Sequence, residues 1–122
     1  MTEVDDHELL GQYAGTASEA AFATLVARYV NLVHSTALRL TGNPHHAQDI
    51  TPAVFLILAR KAGSLRRGTV LSGWLYQTAR LTAANFLKRE IRRQRREQEA
   101  YMQSTLTEPE PGAWEQIAPL LD

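Results

Sequence analysis

Residues 74–96 have the sequence WLYQTARLTAANFLKREIRRQRR, which predicts one long helix with two different faces. At about 100° per residue, the apolar face carries Leu75, Ala79, Thr82, Ala83 and Phe86. The opposite face carries Gln77, Leu81, Ala84, Asn85, Lys88, Arg92 and Arg95. We expect Ser72 to cap this helix, which would be about 35 Å long at the usual rise per residue.

Two further helices are predicted upstream of it. Asp5 or Asp6 can cap a short helix that runs to about Tyr13, and Gly15 is expected to end it. Ser18 is a good N-cap for a second helix, and Gly42 suits the position after its last turn. The apolar face of this second helix consists of Phe22, Leu25, Val26, Tyr29, Val33 and Leu40.

A third helix is predicted to begin at Asn43-Pro44, as N-cap and first helical residue. Its apolar residues are Ala47, Ile50, Thr51, Val54, Phe55, Leu58 and Ala62. Pro52 lies inside it and either kinks the helix or, with Thr51, caps a new one. We favour the kink, because the apolar pattern continues through the proline. A glycine-rich loop, GSLRRGTVLSG, follows at residues 63–73.

The composition changes after Glu97. Residues 98–112 contain Pro109 and Pro111 and little apolar content, which is typical of a linker. Residues 113–121 form a short amphipathic segment without a partner, as if a further domain began there. The sequence therefore predicts an all-α protein: a compact three- to four-helix bundle over residues 1–97, then a linker and the start of a truncated domain over residues 98–122.

The net charge of zero hides an uneven distribution of charge. The 13 Lys and Arg residues are concentrated toward the C-terminal side, where residues 60–96 hold eleven of them against one acid, Glu90. Acids precede the first cation, Arg28, at the other end of the chain. Favourable interaction with the helix dipole explains two or three of these arginines but not the run RRQRR. The pattern favours contact with nucleic acid, which is polyanionic.

Several function classes are not supported. The chain has no cysteine and no convincing set of catalytic residues, so we expect no enzyme activity and no cofactor. His46 and Asp49 are spaced like metal ligands but lack a third partner, so no metal site is predicted. The acidic N-terminus is unlike a signal peptide, and no apolar stretch approaches the roughly 20 residues of a membrane span. A cytoplasmic protein without membrane contact is expected.

Residues in the loop and at the start of the basic helix are candidates for contact with bases. Arg66, Arg67 and Thr69 can hold phosphate or base edges, and Trp74 can stack on an unpaired base. The alternative for the loop is an ordinary polar connection, and the alternative for Trp74 is core packing.

The order of these segments resembles region 2 of the extracytoplasmic-function (ECF) sigma factors of the sigma-70 family. The resemblance runs from about residue 5 to residue 96. It is carried by RLTGN at residues 39–43, AQDI at 47–50, WL at 74–75 and AR at 79–80.

The resemblance implies a domain that binds the clamp helices of RNA polymerase core and recognises the promoter −10 element as single-stranded DNA, on the non-template strand. It implies that the loop holds a flipped base, that the following helix contacts neighbouring bases and phosphates, and that residues 98–122 lead toward region 4. An anti-sigma factor is a further partner that the resemblance allows.

These expectations assign roles to particular residues. The predicted DNA-binding residues are Arg66, Arg67, Thr69, Trp74, Gln77, Arg80, Asn85, Lys88, Arg92 and Arg95. The predicted polymerase-binding residues are Asp49, Pro52 and Phe55. Two positions depart from the family, which often has Gln or Glu at Pro52 and Asn at Leu81. Two alternatives are a generic helical module for DNA or RNA and a helical adaptor that binds only protein.

Overall fold

The structure is a computed structural model that describes residues 4–106 of the 122-residue chain. Within that range the chain forms four helices and no strand: α1 (Asp6–Thr16), α2 (Glu19–Thr41), α3 (Pro44–Lys61) and α4 (Leu71–Leu106). The predicted all-α fold is confirmed. None of these helices is long and apolar enough to span a lipid bilayer.

Residues at the helix ends confirm the predicted boundaries of α2 and the start of α3. The Ser18 hydroxyl accepts a hydrogen bond from the Ala21 amide at 3.2 Å, and Gly42 ends α2 with a φ of 64°. The Asn43 side chain accepts from the amides of His45 and His46, at 2.9 and 3.3 Å. Because Gly42 lacks a Cβ atom, the chain can turn sharply there between two capped helices.

The predicted end of α1 at Gly15 is wrong. The helix continues to Thr16, and Ala17 takes the left-handed conformation with a φ of 55°. A glycine costs a helix only about 1 kcal/mol relative to alanine. The turn instead comes at the residue directly before Ser18, because Ser18 must already be extended to cap α2.

Helix α3 continues through Pro52 without a new start. Its buried side chains Ala47, Ile50, Val54 and Leu58 are at most 1% exposed on both sides of the proline. Burial of this continuous face outweighs the one backbone hydrogen bond that proline removes.

The predicted cap at Ser72 is wrong, because α4 begins at Leu71, two residues before the start that a cap at Ser72 implies. The Trp74 amide donates to the Val70 carbonyl at 3.0 Å, which makes Val70 the capping residue. Leu71 is buried together with Leu75 on the same helix face, so packing favours starting the helix at Leu71.

Residues 98–106 are helical, whereas an irregular linker was predicted to begin at residue 98. The predicted short helical segment at residues 113–121 lies outside the described residues. The chain divides into a first compact unit, Met1–Leu87, and a second that begins at Lys88. The division into domains at residue 97 stays a prediction.

One hydrophobic core lies within the first unit. Each of the four helices contributes buried side chains to it, including Leu10 from α1, Leu25 from α2, Leu58 from α3 and Leu75 from α4. The predicted apolar face of α4 is confirmed, with Ala79 and Ala83 fully buried beside Leu75. Leu40 was expected in the core but is exposed, because it lies in the last turn of α2, beyond the buried Thr36 and Ala37.

Polar and aromatic contacts attach α1 to α2. Asp6 forms an ion pair with Arg28 at 2.9 Å and also accepts a hydrogen bond from the Tyr29 hydroxyl. Burial, followed by this hydrogen bond to a carboxylate, raises the pKa of Tyr29 to about 12. The rings of Tyr13 and Phe22 lie 4.7 Å apart. Helix α1 is therefore held on α2 along much of its length.

Candidate nucleic-acid interface

The loop between α3 and α4 is a short, hydrogen-bonded structure. The amides of Ser64 and Leu65 donate to the Lys61 carbonyl, at 2.9 and 3.2 Å, and extend the last turn of α3. The Thr69 amide then donates to the Arg66 carbonyl at 3.0 Å, which closes a four-residue turn. We call residues 66–69 the arginine turn.

The arginine turn presents its cations to solvent. Arg66, Arg67 and Gly68 are exposed, while Leu65 before them packs against the core. Thr69 is half-buried, and its carbonyl oxygen lies 2.9 Å from His7 Nε2 on α1.

His7 was not predicted as a functional residue. It is separated from Thr69 by 62 positions and has no periodic or motif-like signal around it. An open cleft of about 660 Å³ lies beside this contact, between α1 and the loop. Its lining includes Glu8 and Gly11 from α1 and Gly63 and Arg67 from the loop.

The two aromatic residues at the start of α4 have different environments. Trp74 is half-buried and packs against the core. Tyr76 is 39% exposed, and the Arg80 guanidinium lies 5.8 Å from its ring centroid. The aromatic surface next to the cations is therefore that of Tyr76 rather than Trp74.

The predicted base-contacting residues of α4 within the first unit lie at the surface. Gln77, Arg80 and Asn85 are exposed, and Leu81 is 67% exposed between Gln77 and Asn85. Four-residue spacing places Gln77, Leu81 and Asn85 along one line of the helix surface. Their side chains can make hydrogen bonds or apolar contacts with base edges.

The second unit is a strongly basic stretch of helix. Lys88, Arg92 and Arg95 are exposed, and Arg89, Arg92, Arg95 and Arg96 line a shallow depression of about 340 Å³. Arg93 differs, because it pairs with Glu90 at 2.9 Å and with Glu97 at 3.1 Å. Glu90 was expected as the acid within the basic run, but the double pairing of Arg93 was not predicted.

The predicted polymerase-binding residues of α3 are not equally accessible. Asp49 and Pro52 are exposed, but Phe55 is only 6% exposed and belongs to the core. Phe55 therefore exposes only a small part of its side chain to a partner. Leu56, which the sequence analysis did not select, is 53% exposed.

An apolar groove of about 430 Å³ runs beside these residues, between α2 and α3. We call it the α2–α3 groove; it is lined by Phe22, Val26, Val30, Thr51, Pro52, Phe55, Leu56 and Ala59. Phe55 contributes to the groove as part of its buried wall. A groove with so little polar lining suits an apolar partner surface.

The histidines at the start of α3 do not form a metal site. No group of three or more His, Cys, Asp or Glu residues in the described part of the chain could hold a metal ion. The His46 ring instead packs against Phe86 of α4, with ring centroids 4.9 Å apart. This contact gives His46 a structural role between α3 and α4.

Comparison with known proteins identifies the family. The model of the family described as Sigma-70 region 2 matches residues 25–97, from the first half of α2 into α4. The ECF RNA polymerase sigma factor SigE of Mycolicibacterium smegmatis is 34% identical over 91 residues, which cover 72% of this chain and 34% of that protein. The chain thus spans about a third of the length of this relative. It belongs to the sigma-70 region 2 family, as its sequence pattern predicted, and has an ECF sigma factor among its relatives.

Proposed function

We propose that this domain acts in transcription initiation, by binding single-stranded promoter DNA of the −10 element and RNA polymerase core. The observation that carries the DNA-binding part is the arginine turn, where Arg66 and Arg67 are both exposed on a hydrogen-bonded loop. Family membership supports the role, since the relative is a sigma factor. No step of this function requires catalysis by the chain.

The first unit offers the contacts that an unpaired base needs. A splayed base exposes its ring faces and all of its hydrogen-bonding edges. Tyr76 supplies an exposed ring, while Arg66, Arg67 and Arg80 supply donors for base edges or phosphates. Gln77 and Asn85 can each donate and accept hydrogen bonds at neighbouring bases.

The cations of the second unit can contact DNA phosphates, and such contacts do not distinguish one base sequence from another. Lys88, Arg92 and Arg95 are exposed and have no acid within ion-pair distance among the described residues. Each such contact releases counterions from the DNA, so affinity should fall steeply with salt. Thr69 is half-buried, and its amide closes the arginine turn.

For the polymerase, we propose the surface of α3 around Asp49, Pro52 and Leu56, together with the α2–α3 groove. The groove accepts apolar side chains, and the exposed Asp49, three residues before Pro52 on α3, can pair with a cation of the partner. Phe55 shapes the groove from within rather than making the outer contact.

Fluorescence anisotropy with short labelled DNA tests the DNA-binding part. The triple variant Arg66→Ala, Arg67→Ala, Lys88→Ala should bind single-stranded DNA at least tenfold more weakly than the wild type at moderate salt, because three exposed cations are lost. Arg39→Ala, which removes an exposed cation from α2, is the matched control and should bind as the wild type does. Unchanged affinity of the triple variant would show that the site is elsewhere.

The same assay distinguishes the two alternative functions. Preference for duplex DNA or for RNA over single-stranded DNA, without capture of core polymerase, would indicate a generic nucleic-acid-binding module. Capture of polymerase without affinity for any nucleic acid would indicate a protein-binding adaptor.

A further inference from the structure

The arginine turn is attached to a helix from the opposite end of the sequence. Within the loop, the Thr69 amide donates to Arg66, which shapes the turn but does not orient it on the protein. The Thr69 carbonyl accepts from His7 Nε2 at 2.9 Å, in a half-buried position. This second bond fixes the direction in which the turn points, because it joins the turn to α1.

Helix α1 is a firm support for His7. Its neighbour Asp6 is bound to both Arg28 and Tyr29 of α2. Leu9 and Leu10, on the next part of the helix, are buried in the core. The backbone on either side of His7 is therefore held in place by an ion pair, a hydrogen bond and apolar packing.

We propose that His7 is a positioning residue for DNA binding, which holds the arginine turn in its binding-competent orientation through the Thr69 carbonyl. This inference rests on the proposed function of the turn. It adds α1 to the DNA-binding apparatus, although α1 lies entirely before residues 25–97, where the family model matches.

The physical reason is the entropy of the loop. Arg66, Arg67 and Gly68 are exposed, and among the hydrogen bonds of the described residues the one from His7 is the bond that joins residues 66–69 to another helix. A loop that is free in the unbound protein must be ordered on binding, and that ordering weakens affinity. The bond from His7 imposes part of this order in advance.

Two variants at one position separate the hydrogen bond from the space that the ring fills. His7→Phe keeps a planar ring but has no donor. His7→Gln keeps an amide nitrogen at a similar distance along the side chain, so it can still donate to Thr69. If His7 acts through the hydrogen bond, the glutamine variant should behave like the wild type.

The experiment measures two properties of each variant: affinity for fluorescein-labelled single-stranded DNA of mixed sequence, and hydrogen exchange of the backbone amides in the free protein. We expect His7→Phe to bind DNA about three- to tenfold more weakly, the effect of one net hydrogen bond. Exchange at residues 66–70 should become faster in that variant, while exchange in α2 and α3 stays as in the wild type. His7→Gln should match the wild type in both measurements.

Three results would overturn the proposal: wild-type affinity in His7→Phe, equal losses in both variants, or faster exchange throughout α2 and α3, which would indicate a purely structural role. The double variant Arg66→Ala, Arg67→Ala is measured in parallel. If it binds DNA as the wild type does while His7→Phe still loosens the loop, the DNA-binding role of the turn fails and the attachment by His7 stands. If the double variant is weakened and His7→Phe is not, the turn binds DNA and the role of His7 fails.

Discussion

Leu81 is an apolar residue among polar ones on the outer surface of α4. It is strongly exposed and lies one turn from Gln77 and one turn from Asn85. Leucine offers no hydrogen bond, and the C5-methyl of thymine is the one apolar group on the edges of the four bases. At this position, where the family often has asparagine, the chain is therefore suited to contact a thymine methyl group.

We predict that deoxyuridine in place of thymine weakens binding of single-stranded DNA by the wild type. Loss of one buried methyl group corresponds to about 0.8 kcal/mol, or roughly a fourfold change in affinity. The variant Leu81→Asn should bind both DNAs equally. Anisotropy titrations with matched oligonucleotides measure this, and equal affinity of the wild type for thymine and deoxyuridine DNA would exclude the contact.

Because of the cluster of Asp6, Arg28 and Tyr29, the free energy of unfolding should change with pH in the alkaline range. Burial and the hydrogen bond to Asp6 raise the pKa of Tyr29 to about 12 in the folded protein, against 10.0 for the free side chain. The folded state therefore holds the phenol proton more tightly than the unfolded state. This stabilisation is fully present below pH 10 and is lost as the pH rises toward 12.

We predict that Tyr29→Phe removes this part of the pH dependence. Near neutral pH the variant should be less stable by about 1–2 kcal/mol, because Asp6 loses a hydrogen-bond donor. Above pH 10 the difference between wild type and variant should shrink. Urea unfolding at a series of pH values measures it, and a constant difference up to pH 12 would contradict the role of Tyr29.

At the scale of elements, Gly15 and Gly42 differ in backbone conformation. Gly15 is a helical residue of α1, whereas Gly42 ends α2 in the left-handed conformation. Gly15 lies inside α1, where an added Cβ would meet nothing within 4 Å. Gly42 also has open space around it, but its φ of 64° is unfavourable for any residue with a side chain.

We predict that Gly15→Ala stabilises the protein by about 0.5 kcal/mol and that Gly42→Ala destabilises it by about 1 kcal/mol. The space around both glycines is similar, so the pair isolates the effect of backbone conformation. Midpoints of urea unfolding give both values. A stabilising Gly42→Ala would mean that α2 does not end in the left-handed conformation.

The arginines at the basic end of α4 should contribute to the affinity for DNA through their charge alone. In the double variant Arg92→Ala, Arg95→Ala, the slope of log affinity against log salt for single-stranded DNA should fall by about 1.4, since each lost phosphate contact contributes about 0.7. Base preference should stay the same. Arg39→Ala is again the control, and an unchanged slope in the double variant would show that these arginines do not meet phosphates.

Helix boundaries show what local sequence could predict. Ser18, Gly42 and Asn43 were identified correctly, because a cap depends on residues within one turn of it. Gly15 and Ser72 misled the prediction: α1 continues through Gly15 until the chain must become extended at the Ser18 cap, and burial of Leu71 starts α4 before Ser72. The helical state of residues 98–106 was also missed, because the prolines that suggested a linker begin only at residue 109.

For the whole molecule, the first unit presents two surfaces of different chemistry. The arginine turn and the start of α4 are cationic and polar, whereas the α2–α3 groove is apolar. If the first binds DNA and the second binds polymerase, a substitution in one should leave the other intact.

We predict that Leu56→Asp abolishes capture of RNA polymerase core and leaves the affinity for single-stranded DNA unchanged. A carboxylate at this exposed position would be buried against an apolar partner at a high desolvation cost. Leu40→Asp, at an exposed leucine outside the groove lining, is the matched control and should be captured normally. Normal capture of Leu56→Asp would place the polymerase surface elsewhere.

The sequence by itself determined the four helices, the buried faces of α3 and α4 and the basic end of α4, because helical periodicity and charge are properties of neighbouring residues. The order of these segments was also enough to predict the family. Tertiary structure decided the rest: the packing of Trp74 against the core, the α2–α3 groove and the bond from His7 to Thr69. Each of these depends on residues from helices far apart in the chain, and the distance between such residues is set only when the helices pack.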